Sequence, residues 1–174
     1  MLLLEAFFCR VTGRHLEPCL KLRVLFLSET NGLHGPIAEA LLRRIDTEHF
    51  EVLSAGISCG QLHPFTVEVM TEVGIELTQR VSRRADDLTN REFDYVITLG
   101  ETPARHHLKF QGAETIHWTF DDPLLRSNDP EKQLRELRKV RDQILQRLRL
   151  FVLVHVRSQI TPQAVALSMA AESR

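Results

Sequence analysis

The stretch from Arg23 to Ala40 constrains the fold of this chain more than any other. A short apolar run, Val24 to Leu27, meets a small polar loop, Ser28 to Gly35, and a helix start follows at Pro36. The apolar run does not alternate, which is expected of a central parallel strand buried on both faces. Pro36 suits a first helical turn, where its fixed φ is favourable and its missing N–H is not needed. Ile37, Ala38, Ala40, Leu41 and Leu42 form the apolar side of that helix. Strand, tight loop and helix, in that order, bring loop N–H groups and a helix N-terminus to one point, the geometry of an anion site. The candidate anion-binding loop is therefore Ser28, Glu29, Thr30, Asn31, Gly32, Leu33, His34 and Gly35.

The same alternation continues. Phe50 to Ala55 reads as a second strand, and His63-Pro64 opens a helix with Val67, Met70 and Val73 at helical spacing and Gly74 as its C-cap. Ser82 to Leu88 starts a short helix. Tyr95 to Leu99 and Glu114 to Trp118 read as third and fourth strands. Asp129-Pro130 begins a long helix with Leu134, Leu137, Val140, Ile144, Leu148 and Phe151 on one stripe. Its basic residues are interleaved with acids, as on a solvated face. Two readings stay open at the end of the chain: Phe151 to Val156 is strand-like, and Pro162 to Ala171 has a helical pattern. Strands alternating with helices imply an α/β fold, a doubly wound parallel sheet of four strands with helices on both faces. The expected divisions are an extension over residues 1–21, one domain over 22–155, and a second extension over 156–174.

A chain of 174 residues is enough for one domain with a real core. Its net charge of −1 supplies no global field for nucleic acid. No run approaches the roughly 18 apolar residues of a membrane span. The apolar start carries Glu5 and lacks the basic flank of a signal peptide. The three cysteines, Cys9, Cys19 and Cys59, are too few and too odd in number for a disulfide framework. These features point to a cytoplasmic protein that binds neither nucleic acid nor membrane. His106 and His107 fit no standard metal spacing, and neither metal nor cofactor is expected.

The loop resembles the phosphate-binding loop of the low-molecular-weight tyrosine phosphatases and the related thioredoxin-coupled arsenate reductases. Four further segments match in order: Ser54-Ala55-Gly56-Ile57, His63-Pro64 with the helix after it, Phe93 to Leu99, and His117-Trp118 with Phe120-Asp121-Asp122-Pro123. The resemblance covers roughly residues 22 to 151. It implies the fold and a mechanism in which a Cys thiolate attacks the oxyanion centre, an Arg clamps its oxygens, and an Asp before Pro protonates the leaving group. The implied general-acid position is Asp122. Asn31, Glu39 and Ser54 match positions that brace the loop.

The sequence departs from the implied pattern where the chemistry lies. Ser28 stands at the nucleophile's place and His34 at the clamping arginine's. Gly35 replaces a hydroxyl residue, Gly100 replaces a cysteine, and there is no cysteine between Gly100 and Pro123. Histidine can be charged near neutral pH but cannot form arginine's bidentate fork. Glu29 adds a negative charge; at about 4 Å and an effective dielectric of about 20, a like-charge pair costs a few kcal/mol. Thr30 would tolerate positive φ poorly if the loop required it there. The leading expectation is a pseudoenzyme that binds a small oxyanion (phosphate, arsenate or sulfate) weakly, or a protein partner. The alternatives are altered chemistry through Cys59, as a relocated thiol, or through Asp122, and a dimeric interaction module.

Overall fold

A computed structural model of the chain describes residues 21–58, 60–77, 83–100 and 110–171, the last sixteen as backbone only. Cys59, His106 and His107 lie outside the described residues, as does the N-terminal extension up to residue 20. The elements are β1 (Leu22–Ser28), α1 (His34–Ile45), β2 (Phe50–Gly56), α2 (Pro64–Thr71), a 3-10 turn (Asp86–Leu88), β3 (Tyr95–Leu99), β4 (Glu114–Trp118), α3 (Pro123–Arg126) and α4 (Pro130–Ala171).

The four strands form one sheet in the order β2-β1-β3-β4, every pair parallel. This is the α/β sheet that the alternating pattern implied. Alternate residues of β1 enter opposite cores. Val24 and Phe26 join α1, α2 and α4 on one face, with Ile37, Leu42, Met70, Leu137 and Ile144. Leu25 and Leu27 join Leu53, Leu88, Phe93, Val96 and Phe110 on the other. Two-sided burial is the reason β1 has no polar alternation. The chain order reverses between β1 and β3, the switch point at which such sheets open a crevice at their carboxyl ends.

Two expectations need correction. The buried face of α2 is Thr66, Val69 and Met70, whereas Val67 and Val73 are exposed to 36% and 37%. The helix is rotated because its first turn is tied to the loop after β1: the Thr66 hydroxyl donates to the Gly32 carbonyl at 3.0 Å, and so does His63 N–H. Phe151 to Val156 is helical and not strand-like, since α4 runs from Pro130 to Ala171 as one 42-residue helix. The helix passes the expected boundary at 155 without a break. The predicted stripe on α4 is correct, with Leu137, Val140, Ile144, Leu148 and Phe151 buried. Some of its basic residues are paired: Arg138 and Arg141 both reach Glu72 beyond the end of α2. Gly74 takes φ +71, as its capping role requires. No helix among the described residues is long and apolar enough to cross a membrane.

Candidate active site

β1 ends at Ser28, and α1 begins at His34, two residues before the predicted start. The loop between them lies at the switch point. Its shape is held from beneath by a buried chain of polar groups. Asn31 Nδ2 donates to the Ser54 carbonyl at 3.3 Å, and the Ser54 hydroxyl donates to Glu39 Oε2 at 2.6 Å. Arg43 pairs with Glu39 Oε1 at 2.8 Å and also donates to the Val52 carbonyl. Asn31, Glu39 and Ser54, named from the sequence as bracing residues, are thus brought together. Asn31 also absorbs the loop's unusual backbone: its φ is +54, the only positive value at a described non-glycine residue. The strain feared at Thr30 does not arise, because the left-handed position falls one residue later, on a side chain that tolerates it.

The loop is clamped from the side by the segment after β2. Ser58 donates to the Glu29 carbonyl through both its N–H and its hydroxyl. Gly60 packs against Thr30, where any Cβ would meet the threonine at 2.6 Å. Cys59 lies between these two residues but outside those described.

Above the loop is a cavity of about 300 Å³. Ser28, Glu29 and His34 line it from one side, Leu99 and Gly100 from the end of β3, and Phe120, Asp121, Asp122 and Arg126 from the segment after β4. The candidate general-acid residue therefore faces the loop across the cavity. One of its oxygens is committed, since Asp122 Oδ1 caps α3 by accepting from Leu124 N–H at 2.9 Å. Arg126 supplies a cation, but it is bonded to Asp121 at 2.6 Å.

Ser28 is 5% exposed, and its hydroxyl oxygen accepts from Asn31 N–H at 3.1 Å. The hydroxyl therefore closes the loop on itself. Glu29 is exposed at the rim, so water screens the like-charge penalty expected from it. His34 is 7% exposed and packs against the Phe120 ring at 6.1 Å. Burial holds its imidazole below the ordinary pKa of 6.5; the Asp122 carboxylate and the Asp121 backbone push it back up without prevailing. Its Nε2 is buried without a hydrogen-bond partner, as is Asn31 Oδ1. Burial thus favours the neutral form of the ring at the clamp's place. A Cβ on Gly35 would run into Asn31 Oδ1 and lie 2.9 Å from Ser28 Oγ, so a side chain fits there only if those groups shift. Gly100 has φ +110, a conformation that a cysteine adopts only with strain. Among the described residues no group of three His, Cys, Asp or Glu side chains could hold a metal ion.

Sequence reasoning missed Thr66 and Arg126, and it quoted Phe120 only within a matching segment, with no role at the site. Arg126 had a local signal in its position five residues after Asp121. Thr66 acts across the fold and left none.

Residues 23–163 match the family described as low molecular weight phosphotyrosine protein phosphatase. An arsenate reductase from Oceanobacillus iheyensis is 31% identical over 130 residues, 74% of this chain and 93% of that protein. One from Shouchella clausii is 32% identical over the same shares. Among solved structures, an arsenate reductase in a phosphate-binding state superposes with TM-score 0.63 and 22% identity, covering 76% of this chain and 97% of its own. An arginine phosphatase from Geobacillus stearothermophilus superposes with TM-score 0.66 and 20% identity, covering 80% and 96%. At those identities the superpositions speak for the fold. The match over most of the chain, with relatives above 30% identity, places this protein in the low molecular weight phosphotyrosine protein phosphatase family.

Proposed function

We propose that this chain is a catalytically silent family member, a cytoplasmic pseudoenzyme that acts by weak binding of a phosphate-like oxyanion, or of a protein partner, at the loop after β1. One observation carries the reading. The loop is braced through Asn31 Nδ2, Ser54 and Glu39, while the groups at the two places of the chemistry are a hydroxyl that accepts from Asn31 N–H and a buried imidazole whose neutral form burial favours. A serine hydroxyl attacks phosphorus only when a base takes its proton. His34 Nε2 does not accept that proton, since it has no partner at all. What remains is an uncapped helix start: Leu33 offers no capping side chain, and the first turn of α1 holds no acid. Its free N–H groups and dipole still favour an anion.

A second reading is retained activity with altered chemistry, favoured by Asp122 facing the cavity from the general-acid position. Turnover decides between them. The full chain is assayed with p-nitrophenyl phosphate, and with arsenate plus thioredoxin and its reductase, alongside Asp122→Ala and Cys59→Ser. Rates indistinguishable from buffer in all three proteins are expected. Turnover that either substitution abolishes, with the fold intact, would establish the second reading.

A further inference from the structure

We propose that Arg43, at the far end of α1 from the loop, is a positioning residue for it: through Glu39 and Ser54 it fixes Asn31, and with it the backbone that would hold an oxyanion. This rests on the proposed function in that the loop holds an oxyanion. The link is a line of polar contacts running from solvent to the loop. The Arg43 side chain is 44% exposed, and its Nη2 meets Glu39 Oε1 at 2.8 Å. Glu39 is 1% exposed, and its Oε2 accepts from the Ser54 hydroxyl at 2.6 Å. Ser54 passes the restraint on through its own backbone, since its carbonyl accepts from Asn31 Nδ2 at 3.3 Å. Asn31 carries the loop's positive φ, +54, and its N–H donates to Ser28 Oγ at 3.1 Å. A shift of Asn31 therefore turns the peptide units on both sides of it.

Burial is what separates this pair from an ordinary surface contact. An exposed i,i+4 ion pair does little, because water screens it. Here the carboxyl group is buried, and a buried carboxylate is held by a charge partner together with hydrogen bonds. Glu39 has the guanidinium at one oxygen and the Ser54 hydroxyl at the other. The guanidinium is itself fixed, since Nη2 and Nε donate to the Val52 carbonyl at 2.6 and 3.3 Å, on the strand that carries Ser54 two residues later. The neighbouring Arg44 is engaged elsewhere: its Nη1 donates to the carbonyls of Val73 and Gly74 at 2.9 and 3.0 Å, beyond α2. Arg43 lies in the last turn of α1, roughly 13 Å along the axis from His34. A small ion at the loop is out of its reach, so any influence of Arg43 on that ion travels through Glu39.

The test is calorimetric titration of the full chain with inorganic phosphate, for the unaltered protein, Arg43→Met, Arg43→Lys, Ser54→Ala and the Arg43→Met/Ser54→Ala pair. Circular dichroism checks folding, and Arg43→Gln replaces Arg43→Met if that variant does not fold. Arg43→Met is expected to weaken phosphate binding about tenfold. Arg43→Lys, which keeps a charge beside Glu39, should regain most of that loss, and failure to do so overturns the route through Glu39. In the Ser54→Ala background the line is already cut, so Arg43→Met should change binding by less than about twofold. A merely structural role would lower the denaturant midpoint of Arg43→Met and leave its phosphate affinity unchanged, and that result overturns the proposal. So does a full Arg43→Met effect in the Ser54→Ala background. If the unaltered protein binds no phosphate, the oxyanion reading fails by itself. The Asn31 side-chain amide resonances then decide the positioning: it stands if Arg43→Met and Ser54→Ala move them alike, and falls if Arg43→Met leaves them in place.

Discussion

Gly35 shows how tightly a single position of the loop is packed. The resemblance puts a hydroxyl residue there, yet the Asn31 amide and the Ser28 hydroxyl occupy the space a side chain would need. Restoring the hydroxyl therefore works against the scaffold. Gly35→Ser is expected to lower stability by about 1–3 kcal/mol, as overpacking does. Denaturant midpoints check this, and a destabilisation below about 0.5 kcal/mol would show that the loop yields freely. The combined change with Asn31→Ala should depart from additivity, since the two side chains compete for one volume. The bracing residues Asn31, Glu39 and Ser54 were legible in the sequence because they occur in recognisable local segments. Thr66 was not. Its hydroxyl is bonded to Gly32, 34 residues away, and nothing in its own helix signals that partner.

Among the elements, α4 was the easiest to read and α2 the hardest. Helical periodicity over two dozen residues averages out local exceptions, so the stripe from Leu137 to Phe151 was recognisable before the fold was known. The eight residues of α2 span barely two turns. Which side is buried there depends on how the helix is tied to the loop, and periodicity alone chose wrongly. The burial along α4 gives a graded prediction. Ile144 is fully buried between α4 and the sheet, so Ile144→Ala should cost about 2–5 kcal/mol. Leu150, 64% exposed on the same helix, should change stability by less than about 0.5 kcal/mol when cut to Ala. Equal costs at the two positions in chemical denaturation would mean that α4 does not pack as described.

At the scale of the whole molecule, the buried histidine couples the site to stability. Burial depresses the pKa of His34, and burial also depresses that of His155, where Glu114 opposes it. An imidazole whose folded pKa lies below its unfolded value binds its proton more readily in the unfolded chain. Its contribution is fully present above the ordinary value of 6.5 and is lost as the pH falls below it. The denaturant midpoint is therefore expected to drop between about pH 7.5 and about pH 5.5, and to drop less in His34→Gln. An identical fall in both proteins would show that His34 is not the linked group. By itself the sequence determined the two-sided burial of β1, the helix that follows it, the long stripe of α4 and the family, because each of these is written in local periodicity or in a contiguous motif. Only the tertiary structure decided that the Ser28 hydroxyl accepts from Asn31 N–H, that Asp121 and Asp122 line one cavity with a histidine almost ninety residues earlier, and that this histidine is buried with one nitrogen unsatisfied. Those properties follow from the strand order and from burial, which bring together groups distant in the chain and remove the water that would otherwise set their charge.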